Sequence, residues 1–149
     1  MERLVKILKE KKLTIASCES LTGGLFASKL VEISGVSSVF VGSYVTYMDQ
    51  AKEILLDGKQ ILIEDGAISK KMAYQMAKTI KEKLKSNIAV SFTGNAGPTL
   101  SEGKEAGLVY SCVLINEEKY FYKDVFSGDR NEIRNKVVEK TIERILQNL

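Results

Sequence analysis

The sequence predicts an α/β fold, a three-layer α/β/α sandwich with a mixed central sheet, in one domain that covers residues 1–149. Segments with apolar residues at helical spacing alternate with short, β-branched apolar runs, and the predicted order of elements is αβαβααβββα. The last two strand-like runs lie close enough together to form a hairpin. The chain is 44% hydrophobic, and a domain of this length buries roughly 68–70% of the surface that it exposes when unfolded.

The first four elements follow from local patterns of apolar residues. Residues 1–12 carry an apolar stripe at helical spacing, and residues 13–18 form a short strand-like run. Residues 22–33 return to helical spacing, and Gly35 is placed to end that helix. Residues 39–47 are aromatic and β-branched, which is typical of a strand.

Side chains that can cap helices mark the next two elements. Asp49 is expected to cap a helix that continues to Leu56. Ser69 is expected to cap a longer helix that extends to Leu84, with methionine, isoleucine and leucine on one stripe. Those side chains indicate core packing, and residues 88–93 form the strand that follows.

The pattern of strands and helices breaks over residues 94–107, which hold four glycines and the only proline of the chain. Long loops in compact domains are often functional, so this segment is a candidate ligand-binding loop. Residues 108–115 and 120–126 form the two strands of the hairpin, joined through residues 116–119. Asp129 is expected to cap the last helix.

The composition excludes several classes of protein. With 22 basic and 19 acidic residues the net charge is +3, and the lysine clusters contain glutamates, so solvated helix faces are favoured over a nucleic-acid patch, and a nucleic-acid-binding protein is the last-ranked alternative. No apolar run is long enough to cross a membrane. Without histidine or a cysteine cluster, neither a zinc site nor another cofactor is expected. Cys18 and Cys112 lie in apolar runs and are expected to be buried thiols of a cytoplasmic protein.

Residues 19–24 lie where a predicted strand gives way to a predicted helix. Backbone donors at Thr22, Gly23 and Gly24 could bind a phosphate or the negative oxygen of a tetrahedral intermediate. Ser20 lies beside those donors and is a candidate nucleophile, although the same pattern fits a serine that only caps the helix. Because the chain has no histidine, a nucleophilic serine needs another base, and lysine is the first candidate.

Three further segments are candidates for a site. Tyr47 ends a predicted strand and Lys52 lies in the first turns of a helix, where open α/β folds place ligands. A lysine base requires its pKa to fall toward 7 through burial, whereas most lysines are exposed. Residues 93–98 form a glycine-rich turn after a strand, a weak signal for a ligand. Arg130 could bind a phosphate or carboxylate, or simply begin the last helix.

Taken together, these segments resemble the CinA C-terminal domain family, named for competence-damage-inducible proteins. The chain carries, in one order, the family's motifs E-S-x-T-G-G, G-x-S-x-x-F-x-G and Y-x-x-x-x-K, a segment similar to its H-G-A-V-S, and then T-G-x-A-G-P, G-L-V-Y and G-D-R. The matching segments are Glu19–Gly24, Gly35–Gly42, Tyr47–Lys52, Asp65–Ser69, Thr93–Pro98, Gly107–Tyr110 and Gly128–Arg130.

The resemblance implies a nicotinamide-nucleotide amidase, which converts nicotinamide mononucleotide to nicotinic acid mononucleotide and ammonia without a metal. It implies that Ser20 is the nucleophile, that Lys52 is the general base and then the acid, and that Tyr47 supports or relays the proton. The substrate-binding residues expected from the motifs are Thr22, Gly23, Gly24, Ser38, Thr93, Gly94, Asn95, Ala96, Gly97 and Arg130.

The chain departs from the family pattern in the loops that face the ligand. Asn95 replaces an apolar residue, residues 99–102 replace much of a glycine run, Asp65 replaces a histidine, and Ser43 replaces a second glycine. A nucleotide-binding relative with weak or no activity is therefore the alternative function. The expected partner is a small-molecule nucleotide, with no nucleic acid and no membrane, and a homodimer is left open.

Overall fold

A computed structural model describes the whole chain, residues 1–149, and contains one five-stranded sheet flanked by helices. The strands are β1 (Ile15–Glu19), β2 (Phe40–Val45), β3 (Ile88–Gly94), β4 (Leu108–Ile115) and β5 (Glu118–Val125). The helices are α1 (Glu2–Lys11), α2 (Leu25–Val31), α3 (Asp49–Leu56), α4 (Lys59–Glu64), α5 (Lys70–Leu84) and α6 (Arg130–Asn148), with a 3₁₀ turn at Val36–Ser38.

The sheet is mixed, as predicted, with the strand order β2-β1-β3-β4-β5. Strands β2, β1 and β3 are parallel, whereas β4 is antiparallel to β3 and β5 is antiparallel to β4. The parallel strands therefore end at one common edge. That edge is where open α/β sheets place their ligands.

Strand β3 shows how the sheet separates two layers of helices. Its residues Ile88, Val90 and Phe92 join the core shared with α1, α2 and α6. Its residue Ala89 joins a second core formed with α5, and the Ser91 hydroxyl donates to a carbonyl of α5. Because successive side chains of a strand point to opposite faces, this alternation produces the predicted three-layer sandwich.

Three local predictions were wrong. Helix α2 begins at Leu25 and not at residue 22, because Gly23 and Gly24 have φ values of +59° and +91°, outside the right-handed helical range. Asp49 lies inside α3 and caps nothing, since no side chain caps that helix. The hairpin turn is shorter than expected, because β5 already begins at Glu118. Helix α4 was not predicted.

The other two predicted caps are confirmed. The Ser69 hydroxyl accepts a hydrogen bond from the N–H of Met72 at 3.1 Å. Asp129 accepts from two N–H groups at the start of α6, and Glu132 accepts from the N–H of Asp129, which completes a capping box. None of the helices combines the length with the hydropathy that a membrane crossing requires.

Removing the cap of α5 is expected to destabilise the fold modestly. Ser69→Ala leaves the N–H of Met72 without its side-chain acceptor, which should lower the free energy of unfolding by about 0.5–2 kcal/mol. Ser69→Asp retains an acceptor at the same position and should stay near the wild type. Urea denaturation of the three proteins checks this, and equal stability of the alanine and aspartate variants would contradict it.

Candidate active site

A cleft of about 380 Å³ lies at the common carboxyl edge of the parallel strands. The cleft is lined by residues at the ends of β1 and β3, by α3, by the segment before α5, by residues 95–102 of the loop and by the start of α6. The lining residues are Ser20, Leu21, Tyr47, Asp49, Lys52, Ala67, Ile68, Thr93, Gly94, Asn95, Ala96, Gly97, Thr99, Leu100, Ser101, Glu102 and Arg130.

Ser20 directly follows β1 and lines this cleft, with only 7% of its surface exposed. Its backbone N–H donates to the carbonyl of Phe92 at 3.0 Å, which extends the pairing of β1 with β3 by one residue. The N–H of Gly23 then donates to the Ser20 carbonyl at 2.9 Å and closes a turn. The N–H of Leu21 makes no hydrogen bond within the protein.

The carboxylate of Glu19 shapes the turn from below. Glu19 is fully buried, and its oxygens accept hydrogen bonds from the N–H groups of Phe26 at 3.1 Å and Ala27 at 3.0 Å, in the first turn of α2. The Ser17 hydroxyl donates to the same carboxylate at 3.3 Å. These two N–H groups are therefore not free to bind an anion, whereas those of Thr22 and Gly24, which the sequence predicted as donors, make no hydrogen bond within the protein.

Helix α6 holds the same turn from the other side. The Arg134 guanidinium donates to the Thr22 carbonyl at 2.8 Å. Thr22, Gly23 and Gly24, which the sequence predicted as substrate ligands, lie beside the cleft and do not line it. In the fold, these three residues form the turn that connects β1 to α2.

Lys52 is buried, although its helix has the sequence of an exposed one. The side chain is 2% exposed, and its amine donates to the Tyr47 carbonyl at 3.2 Å and lies 3.6 Å from a carboxylate oxygen of Asp49. Burial lowers the pKa of the Lys52 amine from its ordinary value of 10.5, and the Asp49 carboxylate only partly opposes that shift. A lysine with a lowered pKa therefore shares the cleft with Ser20.

Tyr47 and Arg130 meet at the mouth of the cleft. The Arg130 guanidinium donates to the Tyr47 hydroxyl and, at 2.8 Å, to the Gly97 carbonyl. Tyr47 is 53% exposed, and it contacts Lys52 through its backbone carbonyl and not through its hydroxyl. The phenol is therefore placed beside Arg130, where the two side chains close one end of the cleft.

The loop after β3 is held by its own hydrogen bonds. The Asn95 amide nitrogen donates to the carbonyls of Thr99 at 2.7 Å and Lys104 at 3.0 Å, and its oxygen accepts from the N–H of Gly97 at 2.8 Å. The Thr93 hydroxyl donates to the Ala67 carbonyl at 2.6 Å. Asn95, expected as a substrate ligand, thus folds the loop that lines the cleft.

The neighbouring residues Gly94 and Ala96 contribute to the shape of the cleft. A Cβ at Gly94 would lie 2.5 Å from the Leu108 carbonyl oxygen, so only glycine allows β4 to approach this closely. Ala96 is buried and joins the core beneath the cleft. Both residues bring the backbone of the loop, and not a side chain, to the ligand space.

Glu102 joins residues 99–102, the part of the loop that departs from the family pattern, to the segment at the start of α5. Its carboxylate accepts from the N–H groups of Ala67 at 2.9 Å and Ile68 at 3.2 Å, and from the Lys104 amine at 3.1 Å. Burial raises the pKa of the Glu102 carboxyl, but these hydrogen bonds outweigh it, so the pKa lies below its usual range. Glu102 therefore places a negative charge on the wall of the cleft.

Ser38 does not belong to this site. It lies before β2, at the amino edge of the sheet, where its hydroxyl donates to the Gly35 carbonyl at 3.0 Å. It lines a separate shallow cavity with Lys9, Lys12 and Thr14. The motif that suggested Ser38 as a substrate ligand matches in sequence, but parallel strands place their two ends on opposite edges of the sheet.

Sequence reasoning missed three side chains that shape the cleft. Asp49 was interpreted as a helix cap, Glu102 as part of a variable loop, and Arg134 only as one residue of the last helix. The Asp49–Lys52 spacing of three residues on a helix is a signal that could have paired those two. No local pattern indicates that Arg134 reaches Thr22, which is 112 residues away.

Comparisons with known proteins agree with the fold. The family model described as the CinA C-terminal domain matches residues 1–149. A Bacillus mycoides protein named as competence-damage inducible is 43% identical over 136 residues, which cover 90% of this chain and 33% of that protein. The chain therefore spans about one third of the length of the curated relatives it matches.

Two solved structures are similar over nearly the whole chain. A CinA superfamily protein from Escherichia coli has a TM-score of 0.95 and 30% sequence identity, covering 99% of this chain and 87% of that one. A competence/damage inducible protein from Agrobacterium tumefaciens has a TM-score of 0.92 and 33% identity, covering 98% of this chain and 91% of that one.

Replacing the buried carboxylate beneath the turn should destabilise the protein. Glu19→Gln keeps the size of the side chain but turns one acceptor oxygen into a donor, so a buried N–H group of α2 loses its partner. The expected loss in the free energy of unfolding is about 1–3 kcal/mol. Urea denaturation measures it, with the exposed Glu10→Gln as the control; equal effects of the two substitutions would contradict the role of Glu19.

Proposed function

The chain belongs to the CinA C-terminal domain family, and we propose that it is an amidohydrolase that converts nicotinamide mononucleotide to nicotinic acid mononucleotide and ammonia. The observation that carries the proposal is that Ser20 and a buried Lys52 line the same cleft. The chain has no histidine to serve as a base, and burial lowers the pKa of the Lys52 amine. A lysine of this kind can be neutral at a pH where exposed lysines are charged.

In the first step, the neutral amine of Lys52 takes the proton of the Ser20 hydroxyl as Ser20 Oγ attacks the carboxamide carbon. The carbonyl oxygen of the substrate then carries the negative charge. The unpartnered N–H of Leu21, next to the nucleophile in the chain and in the cleft wall, is the donor we assign to that oxygen. The fixed turn between Glu19 and Arg134 keeps this donor in place.

In the second step, the tetrahedral intermediate collapses, the C–N bond breaks, and Lys52 returns its proton to the departing ammonia. This leaves the nicotinoyl group as an ester on Ser20. Water then attacks the ester carbon while Lys52 takes one of its protons, and the Ser20 oxygen leaves with that proton as the carboxylic acid forms. The acid loses its remaining proton to solvent and becomes the carboxylate. One lysine therefore serves twice as base and twice as acid.

The mouth of the cleft suits the phosphate of the nucleotide. Arg130 presents a guanidinium there, held by the Gly97 carbonyl and the Tyr47 hydroxyl, and such groups bind phosphate oxygens through two parallel hydrogen bonds. Tyr47 is half exposed beside it and offers a ring face to the pyridine or ribose. The phosphate would thus lie at the mouth and the carboxamide inside, near Lys52.

A nucleotide-binding protein with little turnover is the second candidate, and the carboxylates of the cleft favour it. Asp49 lies 3.6 Å from the Lys52 amine and stabilises its charged form, which cannot act as a base. Glu102 adds a further negative charge to a cleft that must accept an anionic substrate.

Ammonia release from nicotinamide mononucleotide separates the two candidates. The wild type should release ammonia, and Ser20→Ala should lower the rate by several orders of magnitude with an unchanged melting temperature. Ser28→Ala, an exposed serine on α2, is the matched control and should keep wild-type activity. Binding of the nucleotide without ammonia release by the wild type would favour the second candidate and reject the amidase.

The pH dependence should report the lysine base. Because Lys52 acts in its neutral form, kcat/KM should rise with pH through a pKa below 10.5, the direction in which burial shifts this amine. Lys52→Arg keeps the charge but cannot lose its proton, so it should be inactive. The exposed Lys59→Arg serves as the control. An active Lys52→Arg protein, or a rate that falls over this pH range, would reject the base role.

Loss of Arg130 should weaken binding of the phosphate. Arg130→Ala should raise KM for the nucleotide by about 10- to 150-fold, the range that corresponds to loss of a charged hydrogen bond. Nicotinamide riboside lacks the phosphate, so its KM should change little. The ratio of kcat/KM for the nucleotide to kcat/KM for the riboside should therefore fall. Arg3→Ala, on the exposed face of α1, is the control. An unchanged ratio of the two kcat/KM values would remove Arg130 from the phosphate site.

A further inference from the structure

The fold gathers lysines that are scattered in the sequence into one groove between α5 and the outer face of β5. We call it the basic groove, and it comprises two adjoining cavities of about 440 and 260 Å³. Its charged residues are Lys70, Lys78, Lys81, Lys85, Lys119, Lys123, Glu82 and Glu117.

The basic groove holds all of the net positive charge of the protein. Its six lysines and two glutamates give +4, whereas the remaining 16 basic and 17 acidic residues of the chain give −1. The sequence predicted that these lysines lie on solvated helix faces because glutamates separate them. In the fold they share one surface, and only Glu82 and Glu117 lie among them.

The regular geometry of two elements produces this surface. On α5, Lys70, Lys78 and Lys81 fall on one stripe of the helix beside its buried face, and Lys85 follows directly after the helix. On β5, Lys119 and Lys123 alternate with Phe121 on the face beside α5, which Tyr74 of that helix covers in part. At about 1.5 Å per residue the row from Lys70 to Lys85 extends roughly 22 Å, the length of about six phosphates of a strand at 3.4 Å each.

Aromatic rings lie between the lysines. Tyr74 of α5 and Phe121 of β5 meet edge to face, with ring centres 5.8 Å apart. The amine of Lys70 lies 4.5 Å from the centre of the Phe121 ring, and that of Lys119 lies 5.1 Å from the Tyr74 ring. Phe121 is 36% exposed, so part of its ring faces solvent between the lysines.

The two faces of β5 differ in exposure. The face that carries Phe121 is exposed, whereas the opposite face is packed. Tyr120 and Tyr122 on that face pack against the core under α6. Asp124 on the same face is bound by Arg144 through two hydrogen bonds of 2.6 and 2.7 Å. The strand therefore presents a packed and charge-neutralised face to α6 and a basic, aromatic face to solvent.

We propose that the basic groove binds single-stranded nucleic acid, with phosphates on the lysines and a base stacked on Phe121. Lysines in a row match the regular negative charge of a nucleic-acid backbone. Exposed rings between them add stacking with bases, which a duplex hides and an acidic peptide lacks. The groove is separate from the cleft that holds Ser20 and Lys52, so this binding does not depend on the amidase.

Fluorescence anisotropy with a labelled twelve-residue oligothymidylate tests the proposal on the full chain. Binding should weaken as salt rises, and each phosphate contact contributes about 0.7 to the slope of log K against log salt. A triple variant with Lys70→Gln, Lys78→Gln and Lys123→Gln removes three lysines that make no hydrogen bond in the fold, so its slope should be smaller by about 2. A matched triple variant with Lys6→Gln, Lys59→Gln and Lys140→Gln removes the same charge elsewhere and should bind nearly as the wild type.

A second variant tests stacking apart from charge. Phe121→Ala should weaken binding by about 5- to 150-fold, the range measured for loss of one stacked base, without changing the salt slope. Melting temperatures show that each variant is folded. The proposal is overturned if the oligonucleotide does not bind at low salt, if both triple variants lose affinity equally, or if Phe121→Ala binds like the wild type. Equal affinity for a duplex or for an oligoglutamate of the same charge would also overturn it.

Discussion

Burial of the Lys52 amine at the carboxyl edge of the sheet is the constraint on which the candidate site depends. A charged amine loses much of its hydration when buried, so the fold favours its neutral form. The Tyr47 carbonyl accepts a hydrogen bond from the charged amine, and the Asp49 carboxylate attracts it. Both contacts stabilise the charged form and offset part of the effect of burial. The result is an amine whose pKa lies below 10.5, which is the property that the proposed base role requires.

The second constraint is the turn that carries Ser20. The Glu19 carboxylate binds two N–H groups of α2 from within the core, and Arg134 of α6 binds the Thr22 carbonyl from outside. These contacts join β1, α2 and α6 at one point, so the position of the serine follows from the packing of three elements. The N–H groups of Phe26 and Ala27 are thus used internally, and under the proposed function the anion is bound by Arg130 and by backbone donors.

The sequence predicted the layers and most strands because the alternation of apolar residues records which face of the sheet is buried. It could not predict the burial of Lys52, because the segment around this residue has the composition of an exposed helix. It misplaced Ser38, since a local motif does not say at which edge of the sheet it lies. Asn95 was assigned to the ligand, whereas its amide is used by the loop, a role that depends on contacts with Thr99 and Lys104.

Direct titration of the Lys52 amine tests the central claim. In a lysine-labelled protein, the side-chain NMR signals can be followed against pH, and the signal of Lys52 identified as the one missing from Lys52→Arg. The account predicts a midpoint for Lys52 clearly below that of the exposed Lys59 and below the ordinary 10.5, because burial dominates over Asp49. A midpoint equal to or above that of Lys59 would contradict it, since a permanently charged amine could not serve as the base for Ser20.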